Sequence, residues 1–180
     1  MDPLKIIQEY YSPDSKVYHI LVEHSKAVLR KALEIAKKVP KLNPDLDFIK
    51  EATMLHDIGI FMTNAPEIYC HGEKRYICHG YLGRGLLEKE GWPKHALVCE
   101  RHTGISLHDI ESQNLPIPHR DMMPVTVEEE IICLADKFFS KDEDRLTVEK
   151  SVATVRDSSK KFGEEKVKWL DNLLKKYQLV

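Results

Sequence analysis

The chain has 180 residues, enough for about one domain with a sizeable core. Its 27 Lys and Arg nearly balance 29 Asp and Glu, and the formal charge of −2 excludes the broad basic field of a dedicated nucleic-acid binder. A 42% hydrophobic and 31% charged composition reads as globular, with no apolar run of membrane-spanning length.

The N-terminus, Met1-Asp2-Pro3-Leu4-Lys5, has no basic stretch followed by an apolar one, so a cytoplasmic location is expected. Cys70, Cys78, Cys99 and Cys133 show no C-x-x-C spacing and are expected to be reduced and mostly buried.

Helix signals recur along the chain while strand signals are scarce. Asp2-Pro3 opens a short helix over Leu4, Ile7 and Tyr11, and Ser12-Pro13-Asp14 opens a second that runs to about Lys38, before Pro40. Asn43-Pro44 starts a third through His56-Asp57, with Gly59 expected to end it as a residue tolerant of positive φ. An irregular segment, 61–73, precedes a fourth helix from about Arg75 to Glu90, closed by Gly91. Pro93 begins a fifth, which ends near Thr103-Gly104. A second irregular segment, 105–125, shows no period. Thr126 then caps a sixth helix with Glu129 in a capping box, and one or two amphipathic helices follow, the last from about Gly163 to Tyr177. The expected fold is an all-α, single-domain bundle over 1–180, with a core at about 15–145, C-terminal helices over 146–180 and two insertions that serve as substrate walls.

Five of these helices place ionisable residues on or beside their apolar stripes. His24 sits among Val17, Ile20, Leu21, Ala27 and Val28; His56 follows Ile49, Ala52 and Thr53, with Asp57 next to it. His79 shares a face with Leu82, Gly83 and Leu86; His102 follows Val98 and Cys99; Asp136 lies between Ile132, Cys133 and Phe139. Burying an unpaired carboxylate costs several kcal/mol, so acids and imidazoles turned inward from distant segments must satisfy one another or a shared cation. Mixed nitrogen and oxygen donors without clustered cysteines suit Fe, Mn, Zn, Ni or Co, and four histidines with two aspartates suit two ions about 3.5–4 Å apart.

At His24, His56-Asp57, His79, His102 and Asp136 the chain resembles the HD-domain superfamily, with its H…HD…H…H…D order; Met54-Leu55-His56-Asp57-Ile58-Gly59 is similar to the HDIG signature. The later blocks, His79-Gly80 with Gly83, Arg101-His102-Thr103-Gly104 and Ala135-Asp136-Lys137, resemble those of its binuclear members. The resemblance implies a helical bundle around two divalent ions, iron first among the candidates. His24, His56, Asp57 and Asp136 would hold one ion, and Asp57 would bridge to a second held by His79 and His102. Thr103 departs from members that carry a further histidine there, and 105–125 matches no substrate-defining pattern.

The activity implied is hydrolysis of a phosphoester or phosphoanhydride, with a nucleotide as the expected small-molecule substrate and attack by a hydroxide between the ions. Asp57, Lys137 and Arg101 are the expected catalytic residues, and Lys137, Arg101, Arg120 and His71 the expected substrate contacts. No membrane or dedicated nucleic-acid partner is expected, and the chain is taken as a monomer or homodimer. Two alternatives share these ligands: a di-iron oxygenase cleaving a C–C or C–P bond with O₂, and a non-catalytic nucleotide-binding regulatory module. His19 and His95 read as surface residues, and His108 and His119 as weaker candidates for proton donors. Glu100 is a candidate to orient a ligand imidazole, and the run Lys141-Asp142-Glu143-Asp144-Arg145 reads as a solvated connection.

Overall fold

Asp2 accepts a hydrogen bond from the Leu4 amide and Pro3 takes the first helical position, so α1 (Pro3–Tyr10) begins where the sequence predicts it. The structure is a computed structural model and describes residues 1–180. Ser15 rather than Ser12 caps the long α2 (Lys16–Lys38), whose last turn carries Lys37 and Lys38 at the negative end of the helix. Asp45 caps α3 (Leu46–Leu55) through the Asp47 and Phe48 amides.

The segment expected to be irregular at 61–73 holds short 3-10 turns and two strands of a small sheet, β1 (Thr63–Ala65) and β2 (Cys70–His71), whose third strand, β3 (Lys74–Arg75), takes the place expected for the start of the fourth helix; the order is β2-β1-β3. β1 pairs antiparallel with β2, Asn64 opposite His71, and parallel with β3, Thr63 opposite Lys74. Strands of two or three residues leave no alternation to read. A 3-10 turn at Tyr76–Cys78 leads into α4 (His79–Lys89), and Gly91 follows that helix at φ +81°.

Pro93 opens α5 (Pro93–Arg101). The second segment expected to be irregular contains α6 (Leu107–Gln113), whose Ser106–Asp109 capping box lies within 105–125, where no period shows. The Thr126–Glu129 box starts α7 (Val127–Asp136) as predicted, and α8 (Val152–Ser159) and α9 (Glu164–Lys176) complete the chain. The protein is thus all-α apart from the small sheet.

Two apolar cores share α2. Ile20 and Leu21 pack with α1, Leu55, Leu87 and Ala96, whereas Ala27, Val28, Ala32 and Ile35 pack with α7, α8 and α9. His24 lies on the same helix between these two sets, so the ionisable cluster forms at the seam of the bundle. The four cysteines are buried and free, and no helix is long and apolar enough to cross a membrane.

Gly59 is a correction. Its φ is −82°, so it is not needed for a left-handed turn. A Cβ there would lie 2.3 Å from the His79 carbonyl oxygen and 2.5 Å from the Gly83 amide, while a Cβ on Gly83 would meet Cys99 Sγ at 2.4 Å. The two glycines let the turn after His56-Asp57 touch the backbone of α4 directly, and this contact sets where His79 enters the cluster.

Candidate metal centre

Backbone carbonyls aim three of the imidazoles. His56 and His102 close the C-termini of α3 and α5, and His79 is the first residue of α4 after its 3-10 turn. In each the ring Nδ1 reaches the carbonyl three residues earlier: His56 to Thr53 at 2.6 Å, His79 to Tyr76 at 2.7 Å and His102 to Cys99 at 2.7 Å. A carbonyl oxygen only accepts, so Nδ1 carries a proton in all three and Nε2 turns inward, with a lone pair in His79 and His102 and in His56 once its second proton has left. Further contacts hold the turn that carries Asp57. The Tyr11 hydroxyl donates to the Ile58 carbonyl at 2.6 Å and accepts from the Phe61 amide at 3.2 Å, and Cys99 Sγ lies 2.9 Å from the His56 carbonyl.

The six residues chosen from the sequence meet in two groups that share Asp57. Ligand-type atoms of His24, His56, Asp57 and Asp136 lie within 4.8 Å of one another, as do those of Asp57, His79 and His102. Asp57 Oδ2 faces the first group, 3.3 Å from His24 Nε2 and 3.0 Å from His56 Nε2. Its Oδ1 faces the second, 3.3 Å from His79 Nε2 and 3.5 Å from His102 Nε2. Asp136 Oδ1 completes the first group, 3.0 Å from His24 Nε2 and 3.5 Å from His56 Nε2.

Such a set fits cations and little else. His79 Nε2 and His102 Nε2 face each other at 3.1 Å, both with lone pairs once their Nδ1 protons go to carbonyls. Asp57 Oδ1 and His56 Nε2 are buried without a hydrogen-bond partner, and Asp57 Oδ2 meets only an ammonium, a costly arrangement that a bound cation would relieve. Nitrogen and oxygen donors at this spacing, with one carboxylate facing both groups, suit a pair of divalent ions.

The electrostatics agree. Burial opposes ionisation of Asp57, but His56 and Lys141 hold its carboxyl well below the usual carboxylate range, and Lys141 and His24 do the same for Asp136. Burial alone would strip the proton from His56, yet Asp57 and Asp136 lift it to about 10. Burial keeps His79 neutral, with a value lowered to about 4, and lowers His102 as well. Two carboxylates, Asp57 buried and Asp136 partly so, thus outweigh the single lysine, and the cluster draws in positive charge as a proton on His56 or as a metal ion.

Lys141 is the residue that sequence reasoning misses. The charge run predicts a solvated connection, but its side chain is 14% exposed and its ammonium lies 2.6 Å from Asp57 Oδ2. A charge run gives no sign of which of its members folds inward. The cluster opens, through His79, His102 and Asp136, onto a cavity of about 350 Å³ whose wall includes Lys137 and Lys141.

Of the expected substrate contacts only Lys137 lines that cavity. Arg101 is a correction: its guanidinium is committed to the buried Glu129, at 2.9 and 3.1 Å, because the carboxylate that caps α7 needs a counter-charge. Arg120 is held in the same way by the buried Glu100, which also takes Arg84 at 2.6 Å and so does not orient an imidazole. His71 is exposed on β2, away from the cavity wall. His95, expected at the surface, is buried and lies 3.2 Å from Glu51. His108 is exposed outside the cavity, and His119 pairs with Glu111 at the surface. Of the two insertions, 105–125 supplies Ile105, Asp109, Gln113 and Leu115 to the wall, and 61–73 supplies nothing.

The chain is 28% identical over 155 residues to a tRNA (cytidine(56)-2′-O)-methyltransferase of Thermoplasma volcanium, covering 86% of this chain and 41% of that protein. It is 30% identical over 124 residues to a protein of the same description in Picrophilus torridus, covering 68% of this chain and 32% of that one. An uncharacterized protein of Methanocaldococcus jannaschii is 33% identical over 119 residues, 64% of each chain. The chain therefore spans less than half the length of the two methyltransferases it matches. No solved structure gives a significant match. The family model described as HD domain matches residues 21–140, a span that includes all six clustered residues, and the chain belongs to the HD-domain family.

Proposed function

We propose that the protein is a metal-dependent phosphohydrolase that cleaves a phosphoester or phosphoanhydride bond of a nucleotide-sized substrate. One observation carries this reading: the donor cluster opens directly onto a half-enclosed cavity lined by lysines, so cation-binding residues and anion-binding residues face the same space. A cavity of about 350 Å³ lies in the range for small-molecule sites. His24, His56, Asp57 and Asp136 would hold one divalent ion, and Asp57, His79 and His102 a second. Divalent ions held there supply Lewis acidity, which activates water near neutral pH and neutralises phosphoryl oxygens.

The protein's own part is positioning and charge. The carbonyls behind His56, His79 and His102 lock the imidazoles in the ligating tautomer, so little reorganisation is needed on binding. Burial of the cluster makes each interaction stronger than in water. Lys141, which neutralises Asp57 here, would be free in the metal-loaded protein to present its ammonium to a phosphoryl oxygen, and Lys137 offers a second cation on the same wall. The relatives' printed name concerns a cytidine 2′-oxygen of tRNA. Only the nucleotide character of the substrate is carried from it into this proposal.

The test is metal analysis of protein purified without chelators, combined with phosphate release from a nucleotide panel under anaerobic conditions. About two ions per chain and release without O₂ are expected. Turnover that requires iron and consumes O₂ would replace this reading with the oxygenase. Tight nucleotide binding without turnover in metal-loaded protein would replace it with a regulatory module.

A further inference from the structure

Resting on the phosphohydrolase reading, we infer that the cavity has a second anion subsite, formed by Lys150, Lys161 and Lys166 with Lys137 at its border. The substrate is then a nucleoside carrying at least two phosphoryl groups, one cleaved at the metal centre and one retained. The far wall of the cavity comes from the C-terminal part of the chain, outside the HD match: Lys150, Ser158, Ser159, Lys161, Lys166 and Trp169.

Charge is the first argument. Apart from the cluster's own Asp136, the only carboxylate lining this cavity is Asp109, which takes Lys166 at 3.3 Å. Lys137, Lys150 and Lys161 form no ion pair with any carboxylate; Lys150 donates instead to the Phe139 carbonyl at 2.7 Å, and Lys137 and Lys161 lie over the Trp169 and Phe162 rings at 5.5 and 4.9 Å. Four lysines against one aspartate leave a surplus of three positive charges. That exceeds what one phosphoryl group already facing two divalent ions and Lys141 requires, and it matches a second phosphoryl group of about −1.5 to −2 at neutral pH.

Crowding is the second argument. Burial lowers the Lys150 and Lys166 values; Asp136 and Asp109 pull the other way, and neighbouring ammoniums act with burial, Lys141 and Lys161 on Lys150 and Lys137 on Lys166. Mutual repulsion in a half-enclosed space costs stability, and a bound polyanion relieves it. The apolar side chains lining the cavity, Trp169, Phe139, Phe162 and Val155, offer surface to a base and sugar. The chemistry balances as a simple hydrolysis. One water adds its oxygen to the phosphorus at the metal centre, the ester or anhydride P–O bond breaks, and a proton from that water ends on the leaving oxygen. The retained phosphate is unchanged.

The experiment compares kcat/KM for a nucleoside 3′,5′-bisphosphate, a nucleoside 5′-diphosphate and the two matching monophosphates, in metal-loaded wild type and in Lys161→Gln and Lys150→Gln/Lys161→Gln variants. The wild type is expected to prefer at least one two-phosphate substrate by about tenfold or more, the value of a charge-assisted contact. The ratio of two-phosphate to monophosphate turnover is expected to fall at least about fivefold in the double variant. A purely structural role for these lysines would change all substrates together and leave the ratio in place, which overturns the inference. If no substrate is hydrolysed the phosphohydrolase reading fails, and the subsite is then judged by calorimetry with inorganic pyrophosphate and orthophosphate. Pyrophosphate binding at least about tenfold tighter, and lost in the double variant, supports it; equal affinities refute it.

Discussion

The two walls of the cavity are built on opposite principles. On the metal side, short stiff side chains hang from helix ends, and each of three imidazoles is clamped by a carbonyl three residues back at 2.6 to 2.7 Å. On the far side, long lysines reach in from the C-terminal segment with few fixed partners. The first wall suits ions that tolerate little error in ligand position, and the second suits a flexible anion whose charge matters more than its exact seat. The six clustered donors all lie within the HD match, whereas Lys150, Lys161 and Lys166 of the far wall lie outside it.

The sharpest way to break this comparison is at Asp57, whose oxygens face both donor groups. Asp57→Ala should abolish metal binding and lower phosphate release by at least about 10³-fold, as expected when the reaction's metal site is lost. Retained activity in a metal-free variant would end the metal-side account. Gly59→Ala comes next. Its Cβ has no space against the His79 carbonyl and Gly83, so α4 must move. A loss of about 2–4 kcal/mol in chemical denaturation is expected, together with weaker binding of the ion held by His79 and His102. Normal stability and two tightly bound ions would show that the glycine contact does not set the site.

The metal-free protein should also show a stability optimum near neutral pH. His79 ordinarily titrates near 6.5 and is lowered to about 4, so between those values the unfolded chain binds more protons and stability falls on acidification. His56 is raised to about 10, so between 6.5 and 10 the folded chain binds more protons and stability falls as pH rises. Each limb is on the order of 3–5 kcal/mol. Saturating metal should erase the alkaline limb, because the ion takes the place of the proton; Tm measured against pH with and without metal decides this.

The smallest effect separates lysine from arginine. Lys137→Ala should raise KM roughly tenfold, the loss of one exposed anion contact, whereas Arg120→Ala should leave KM unchanged, because Arg120 serves Glu100. Equal effects on KM would mean that Arg120 leaves Glu100 to touch substrate.

Much of the metal wall is legible in the sequence, for a physical reason. His24, His56, Asp57, His79, His102 and Asp136 stand out as polar residues on or beside apolar stripes, where each needs a partner. The Thr126–Glu129 capping box is equally readable because its donors and acceptors lie three residues apart. Lys141 is not legible: nothing in Lys141-Asp142-Glu143-Asp144-Arg145 marks one member as buried. Arg101 and Arg120 mislead because adjacency to a ligand or to an insertion says nothing about which buried acid lies across the fold. His71 misleads because a loop histidine carries no direction.

Sequence alone determined the helical bundle, through local periodicity, and marked six inward polar residues, through the cost of burying charge, while the family resemblance rests on the order of those residues and on His56-Asp57-Ile58-Gly59. Tertiary structure alone decided that Asp57 faces two donor groups, that Gly59 serves close packing rather than a turn, and that the C-terminal lysines share a cavity with the metal cluster. Those facts depend on distances between segments far apart along the chain, which local patterns do not encode.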